Sequence, residues 1–282
     1  MYLSIDFEDF NHDFKRAFRV ESHETLKTEA LWDRYRRIDD LLKNLGREKG
    51  RYATFFCTGV IAEKEPALIS QIAKDGHEVA CHYYYHDFMR NQSTAKVERM
   101  LRKAKDKLED AANQEVKGFR APNFAIDKSD TAQYQLVEKF FTYDSSFFCS
   151  SHRELEAFKI RMKLESLKIF PIFSKKIFGK DLRLGGSFLK IFPQRFGLWM
   201  ASNATENSFI PHVYMHPYEF GQSTEFKVPA SELRASGMSL PNAAYWDFRQ
   251  AQWLSLRNDT VESKLRQLIA RHPLKGRLCD NA

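Results

Sequence analysis

The amino-acid sequence predicts an α/β fold, a distorted (β/α) barrel of about seven parallel strands with an insertion capping the site. Short runs of β-branched and aromatic residues alternate with helical patterns, which is typical of successive parallel βαβ units. The chain has 282 residues, 43% hydrophobic and 29% charged, so it can bury the core of one large α/β domain. No internal repeat or Gly/Ser-rich linker divides it, and we expect residues 1–282 to form a single domain.

Strand and helix signals alternate through the first half of the chain. Strand-like runs lie at 2–6, 52–57, 78–81 and 118–120. Apolar residues recur at helical spacing over 31–45, 66–74, 97–111 and 132–140, and Gly46 follows the first of these runs as a stop signal. In a barrel built from such units, functional side chains gather at the carboxyl ends of the strands.

The second half of the chain interrupts this alternation. A strand is predicted at 209–215 and a last helix at 261–269, whereas 147–195 reads as an insertion that caps or lines the site. Within it, residues 151–190 hold ten Lys or Arg and four Asp or Glu, which is most of the net charge of +7. Such a segment suits nucleic acid, an anionic lipid surface or a phosphorylated substrate, and a solvated surface is an equally good interpretation.

Composition argues against several classes of protein. No uninterrupted apolar stretch of about 18 residues is present, so no transmembrane helix is expected. The first ten residues contain three acids and no basic-then-apolar leader. The four cysteines are far apart and include no CxxC pair, which disfavours a disulfide framework or a cysteine zinc site. We therefore expect a cytoplasmic location.

The first candidate motif is acidic. Asp6, Glu8 and Asp9 lie at the end of the first predicted strand. Carboxylates this close together repel one another unless a cation or a proton lies among them. On a strand, Asp6 and Glu8 project to the same face. Taken alone, the motif fits an acidic loop better than a site.

The second candidate motif contains two histidines. His82 and His86 directly follow the predicted strand 78–81 and are four residues apart. If this segment turns into a helix, the two imidazoles lie one turn apart and can reach one metal ion. Two imidazoles and a carboxylate leave positions open for water and substrate, as in a catalytic zinc site. Two unrelated surface histidines would produce the same spacing.

Two further residues lie at predicted strand ends. His216 ends the strand at 209–215, where a histidine can shuttle a proton near neutral pH. Arg120 ends the strand at 118–120, where it could orient a carboxylate by a bidentate contact. The alternatives are a buried histidine bonded to backbone and a structural salt bridge.

In this order, these segments resemble the polysaccharide deacetylase family of carbohydrate esterases. The segments that carry the resemblance are 3–6, 53–59, 76–86, 120–122 and position 216. The likeness runs over about 1–146 and resumes near 185–220. The segments 6–10, 143–146, 185–193 and 216–219 are similar to those of deacetylases from exopolysaccharide loci, and Lys190 stands where an Arg is usual in that subgroup.

The resemblance implies a hydrolase that removes acetyl groups from N-acetylated sugars. It implies that Asp6 is the general base, that Arg120 tethers this base and that His216 is the catalytic acid. No Asp-Trp motif stands where the family usually has one, so Asp144 is our interpretation for the residue that supports His216.

The resemblance also implies a divalent metal, Zn²⁺ or another ion such as Co²⁺, Ni²⁺ or Mn²⁺. His82 and His86 would supply two of its ligands. The family usually has two adjacent Asp residues, base then ligand, but Phe7 follows Asp6 here. The carboxylate ligand must therefore be Glu8 or Asp9, and Glu8 is favoured because some members space the two as D-x-D.

Four further residues are predicted to contact the sugar. Pro122 belongs to the Arg-x-Pro motif and Lys190 to the exopolysaccharide-type segment. Tyr84 and Phe188 could offer stacking faces to a sugar ring, although core packing is the slightly favoured interpretation for both.

The function predicted from the sequence is metal-dependent N-deacetylation of a surface polysaccharide or of its nucleotide-linked or lipid-linked precursor. The partner is an acetylated carbohydrate and not a nucleic acid, with peripheral membrane contact through 151–190 as a further possibility. One alternative is a deformylase or cyclic-imide hydrolase on the same barrel, which would release formate or a ring-opened acid. Another is a non-catalytic binder of anionic polymers, whose binding would fall steeply with salt.

Overall fold

The computed structural model describes residues 1–20, 25–45 and 52–282. Within these ranges the strands β1 to β10 are Tyr2–Phe7, Thr54–Cys57, Glu78–Cys81, Gly118–Phe119, Tyr143–Asp144, Phe148–Cys149, Lys168–Ile169, Ile172–Ile177, Lys180–Arg183 and His212–Met215. The helices α1 to α12 are Phe10–Ala17, Thr28–Asn44, Gly59–Lys64, Pro66–Lys74, Thr94–Ala112, Ala132–Phe140, His152–Met162, Gly186–Ile191, Gln194–Glu206, Ala230–Ala235, Leu240–Leu254 and Val261–Arg271. The predicted helix stop at Gly46 lies outside the described residues.

Seven strands form one sheet in the order β10-β1-β2-β3-β4-β5-β7. Every neighbouring pair in it is parallel. The edge strands β7 and β10 do not pair with each other in the described part of the chain, so the sheet is a curled, open barrel. The predicted fold class, a distorted (β/α) barrel of about seven parallel strands, is confirmed.

The segment 147–195 is less separate from the barrel than its irregular pattern suggested. Its strand β7 completes the main sheet, because Tyr143 pairs with Lys168 and Asp144 with Ile169. The remainder forms a second sheet in the order β6-β8-β9, together with α7 and α8. A two-residue strand is too short to show any periodicity, which is why the sequence pattern did not reveal β7.

The helices cover the sheet with the apolar faces that their spacing predicts. On α5, Val97, Leu101, Ala104 and Leu108 are all buried, and they recur at three- and four-residue intervals. Strands β1, β2 and β3 are buried along their whole length, as expected for a sheet with both faces covered. The strand ends are therefore held rigidly, and side chains that follow them have defined positions.

No helix among the described residues combines the length and the apolar character needed to cross a membrane.

Candidate active site

Strand pairing places the residues that follow β1, β3 and β4 at the same level along the strand direction. A row of paired residues crosses β1 to β4 and consists of Phe7, Cys57, Cys81 and Phe119. Glu8, His82 and Arg120 each come one residue after a member of this row. Because the strands are parallel, these three residues lie along the same edge of the sheet.

The same edge continues on the other side of β1. There Ile5 pairs with Met215, so Asp6 and His216 also share a level. Residues that are far apart in the sequence therefore meet through strand pairing alone.

Glu8, His82 and His86 form a compact cluster. Their ligand atoms all lie within 4.8 Å of one another. Glu8 Oε2 is 2.6 Å from His86 Nε2 and 3.5 Å from His82 Nε2. His82 and Glu8 are buried, and the side chain of His86 is 14% exposed. His86 is thus the most exposed member of the cluster.

The two histidines do not lie on a helix, and that part of the prediction is wrong. Residues 82–88 form an irregular loop after β3, in which Tyr83 has a φ of 65°. A left-handed residue directly after His82 is incompatible with a continuing right-handed helix. The loop turns back on itself and still brings His86 to the same carboxylate as His82.

The orientation of His82 is fixed by a backbone carbonyl. His82 Nδ1 lies 2.8 Å from the Arg120 carbonyl oxygen, which can only accept, so Nδ1 carries the proton. The other ring nitrogen, Nε2, consequently faces Glu8. A hydrogen bond of this kind on the second ring nitrogen is the usual support of a metal-binding histidine.

The charges in the cluster compensate one another. Burial opposes ionisation of Glu8, but the positive charge of His86 outweighs it and holds the pKa of Glu8 well below its usual range. Burial likewise opposes protonation of His86, but the Glu8 carboxylate raises the pKa of His86 to about 9. A buried carboxylate here requires a positive partner, which is either a proton or a metal cation.

A divalent cation fits this donor set. Glu8 Oε2 and His82 Nε2 are buried, and neither makes a hydrogen bond of acceptable geometry. Two imidazole nitrogens and one carboxylate oxygen are the three protein ligands of many catalytic zinc sites, in which the remaining position is open.

Asp9, the second carboxylate that the sequence offered as a metal ligand, lies outside the cluster. It caps α1, because its Oδ1 accepts from the His12 N–H at 3.1 Å and its Oδ2 accepts from the Lys27 N–H at 2.5 Å. Burial raises the pKa of Asp9 to about 6. Both oxygens are occupied by backbone donors, so the carboxylate at the cluster is Glu8.

Asp6 is held by a completely buried arginine. Arg120 Nη1 donates to Asp6 Oδ1 at 2.5 Å and to Ser4 Oγ at 2.8 Å. Its Nε and Nη2 donate to the Ser145 carbonyl oxygen and hydroxyl. The guanidinium also lies over the Phe56 ring at 4.1 Å. The arginine thus fixes Asp6 in place and supplies its counter-charge.

His212 completes this network and was not predicted. Its Nε2 lies 3.2 Å from Arg120 Nη2 and 2.9 Å from Ser4 Oγ. Because an arginine can only donate, His212 Nε2 accepts and the ring is neutral with its proton on Nδ1. Burial and the charge of Arg120 hold the pKa of His212 well below its usual value. The only hint in the sequence was that His212 and His216 share a strand face.

His216 is supported by Glu219 and not by Asp144, which corrects the interpretation made from the sequence. Glu219 Oε2 accepts from His216 Nδ1 at 3.0 Å and from the His216 backbone N–H at 2.9 Å. Asp144 accepts instead from the Ser146 N–H and hydroxyl. The tight turn at Pro217 brings Glu219 back onto the histidine, and His-Pro-x-Glu is the signal that could have identified it.

A cavity of about 320 Å³ opens over the cluster. Its polar lining includes Glu8, His86, Asn123 and His216. Its apolar lining includes Phe10, Phe14, Phe88, Tyr218 and Trp253. A few convergent polar groups within a largely aromatic lining are the usual make-up of a small-ligand site.

Two predicted sugar contacts are contradicted by their positions. Lys190 is 1% exposed, and its Nζ donates to the carbonyl oxygens of Gln252 and Trp253 and to Asn258 Oδ1. Tyr84 is buried between helices and donates its hydroxyl to Glu63. Lys190 holds the end of α11 and the turn after it against α8, and Tyr84 is core, which was the slightly favoured interpretation of the sequence.

Pro122 and Phe188 do not line this cavity, although their neighbours Asn123 and Ser187 do. Pro122 is buried at the start of a 3₁₀ turn, and Phe188 stacks on Phe192. A direct contact of either residue with a sugar stays a prediction.

Comparison with known proteins finds a related family for part of the chain. Residues 31–137 match the polysaccharide deacetylase family. Over this segment, which includes His82, His86 and Arg120, the chain is similar to that family. The uncharacterized protein YlxY of Bacillus subtilis (strain 168) is 32% identical over 96 residues, which are 33% of this chain and 30% of that protein. The chain therefore aligns with less than a third of that relative.

One solved structure supports the fold of this chain. It is a Mycobacterium smegmatis protein, provisionally named a polysaccharide deacetylase, that is 17% identical with a TM-score of 0.50, covering 98% of this chain and 92% of that one. The wild-type Bacillus anthracis protein BA3943, a CE4 family pseudoenzyme, is 16% identical with a TM-score of 0.46, covering 84% of this chain and 59% of that one. At these identities the likeness concerns the fold alone.

The assignment of Glu8 as the cluster carboxylate can be tested by metal binding. We expect Glu8→Gln to weaken Zn²⁺ binding about tenfold or more, because it removes a direct ligand. Loss of a residue that only supports a metal ligand already weakens metal binding by about this factor. Asp9→Asn is the matched control and should keep Zn²⁺ while losing about 1 kcal/mol of stability, since an amide nitrogen cannot accept from Lys27. Equilibrium dialysis with elemental analysis measures both. Loss of the ion in Asp9→Asn with retention in Glu8→Gln would reverse the assignment.

The role of His212 can be tested by stability. His212→Leu should lower the free energy of unfolding by roughly 1–3 kcal/mol, because it leaves an Arg120 donor and the Ser4 hydroxyl buried without an acceptor. His212→Gln keeps an acceptor and should lose less. Urea denaturation compares the two variants with the parent chain, and equal losses would contradict the hydrogen-bonding role.

Proposed function

We propose that this protein is a metal-dependent N-deacetylase that acts on an acetylated carbohydrate and releases acetate. The observation that carries the proposal is the convergence, on one cavity edge, of a Glu8–His82–His86 cluster with two supported titratable groups, Asp6 and His216. A binding protein has no need of both a tethered base and a supported acid beside a metal-type cluster.

The three cluster residues would hold a divalent cation such as Zn²⁺. When bound, such a cation polarises an acetyl carbonyl and makes a water molecule more acidic. Asp6 is the group that accepts a proton from the attacking water. Arg120 orients Asp6 through its hydrogen bond to Oδ1 and supplies a counter-charge. The other donors of Arg120 bond to Ser145, which fixes the guanidinium in this position.

His216 is the group that donates a proton to the departing amine. Its Nδ1 is bonded to Glu219, which leaves Nε2 for the substrate. Burial disfavours the imidazolium, but Glu219 outweighs this effect and raises the pKa of His216 to about 9. His216 is therefore protonated at neutral pH, as an acid catalyst must be before the bond breaks.

The cavity suits a small carbohydrate unit. Its volume of 320 Å³ lies near the lower end of the range of about 300–1,000 Å³ for ligand pockets. The aromatic wall formed by Phe10, Tyr218 and Trp253 offers apolar faces to a sugar ring. We propose an N-acetylated sugar of a surface polysaccharide, or its nucleotide-linked or lipid-linked precursor, as the substrate. We further propose that residues 1–282 act as one cytoplasmic catalytic domain.

Acetate release from N-acetylated sugars in the presence of Zn²⁺ tests the function. Asp6→Asn should reduce kcat/KM by about 10²-fold or more, because it removes the proton acceptor without changing the metal ligands. Asp33→Asn, on the exposed face of α2, is the matched control and should keep full activity. Formate or a ring-opened acid in place of acetate would identify the alternative hydrolases. No product from any substrate, with Zn²⁺ shown to be bound, would contradict the proposal.

The pH profile tests the His216–Glu219 pair. Glu219→Gln removes the charge that raises the pKa of His216, so the imidazolium should be lost at a lower pH. We expect the alkaline limb of kcat/KM to move down by roughly 1 pH unit or more. The control Glu262→Gln alters a surface partner of Arg37 and should leave the limb in place. An unmoved limb in Glu219→Gln would exclude His216 as the acid.

A further inference from the structure

A second cavity, which we call the insertion cavity, lies outside the proposed active site. Its volume is about 530 Å³, and it is enclosed by α7, β8, β9 and the start of β6. Phe147, Phe148 and Phe158 supply aromatic surface, and Arg161 and Lys176 supply positive charge. The cavity is large enough for a ligand of several polar groups.

Four cations surround the insertion cavity. Arg161 and Lys176 line it, and Arg183 and Lys128 lie against the ring of Phe148, which is itself part of the lining. The guanidinium of Arg183 is 3.8 Å from the Phe148 ring centroid, and Lys128 Nζ is 5.7 Å from it. Four positive side chains therefore converge from three separate segments of the chain.

These cations outnumber the carboxylates beside them. Within the part of the chain that the structure describes, none of the four forms an ion pair. Two carboxylates, Glu154 and Asp181, also line the cavity, and Asp181 lies directly opposite Lys176 in the β8–β9 pair. Four cations against two carboxylates leave an excess of positive charge in the cavity and its surround.

Two observations indicate that keeping these cations close together and partly buried is energetically unfavourable. Arg183 Nε is buried and has no hydrogen-bond acceptor. Burial of Lys128, reinforced by the charges of Arg183, Arg161 and Arg90, lowers its pKa even though Asp144 lies near. Like charges held together with an unpaired buried donor are stabilised when an anion enters.

The insertion cavity adjoins the proposed active site through a row of aromatic rings. Phe148 is 4.4 Å from Phe124, Phe124 is 5.0 Å from Tyr214, and Tyr214 is 6.0 Å from His216, as ring-centroid distances. Asn123, next to Phe124, lines the active-site cavity. The two cavities therefore lie on either side of one short row of packed rings.

We propose that the insertion cavity binds a phosphate group. Guanidinium groups match phosphate oxygens in geometry, and lysine adds a mobile point charge. Resting on the proposed function, this site would hold the phosphate-bearing carrier of the acetylated sugar. The carrier is either a soluble nucleoside diphosphate or a lipid headgroup, since both present the same chemistry.

Calorimetric titration of the full chain with inorganic pyrophosphate tests the site. We expect saturable binding that weakens with salt, and the double variant Lys128→Gln/Arg161→Gln should weaken it about tenfold or more. Lys159→Gln is the matched control, because Lys159 lies on α7 but pairs with Glu156 away from the cavity. Lys176→Gln, at an exposed position, serves if the double variant does not fold. No binding at low salt, or equal binding by parent and cavity variants, would overturn the proposal.

Two further binding measurements show whether pyrophosphate binds at this site or at the metal cluster, and which molecule supplies the phosphate. Glu8→Gln should bind pyrophosphate as the parent chain does, whereas loss in this variant would assign the phosphate to the cluster and overturn the proposal. UDP and phosphatidylglycerol vesicles are then compared, and the one whose binding the double variant abolishes is the source. If the double variant leaves the binding of both probes unchanged, the proposal is overturned.

Deacetylation assays distinguish a failure of the phosphate site from a failure of the proposed function. The double variant should raise KM for a nucleotide-linked N-acetyl sugar and leave KM for a neutral N-acetylated disaccharide unchanged. If no sugar is deacetylated but pyrophosphate binds as described, the proposed function fails and the phosphate site stands. If both sugars respond equally to the double variant, the link between site and substrate fails.

Discussion

The arrangement of the site depends on one buried cation, the guanidinium of Arg120. Taking this charge out of water is costly, and the cost is met only because every N–H group finds an acceptor. Those acceptors are Asp6, Ser4, Ser145 and His212, the last being neutral. The arginine therefore joins β1, β10 and the turn after β5 across the interior of the barrel. Its own carbonyl oxygen accepts from His82 and orients that ring as well.

Strand pairing explains why so few residues are needed to assemble the site. Glu8, His82 and Arg120 follow consecutive positions of one register row, and His216 lies opposite Asp6. A slip by one residue in β1 would turn Asp6 and Glu8 to the opposite face. The burial of the apolar strand residues and the positions of the polar residues at the strand ends thus depend on the same strand register. Burial of the strands specifies this register.

The fold and the centre of the site were predictable because they follow from local patterns. Alternating strands and helices indicated the seven-stranded sheet, and strand ends indicated Asp6, Glu8, His82 and His216. The exceptions are features that depend on tertiary contacts. The loop carrying His86, the partner of His216 and the burial of Lys190 each result from packing that sequence spacing does not express. Strand β7 was missed because two residues cannot show a period.

The two cavities differ in how their charges are balanced, and this difference restricts how one substrate can lie across both. At the active site, the buried carboxylates of Asp6 and Glu8 are matched by Arg120 and His86. Around the insertion cavity, the cations Lys128, Arg161 and Arg183 form no ion pair among the described residues. An anionic group is therefore attracted more strongly by the second environment than by the first. A molecule with a neutral acetylated ring at one end and a phosphate at the other would place its phosphate in the insertion cavity. The aromatic row of Phe148, Phe124 and Tyr214 lies between the two cavities.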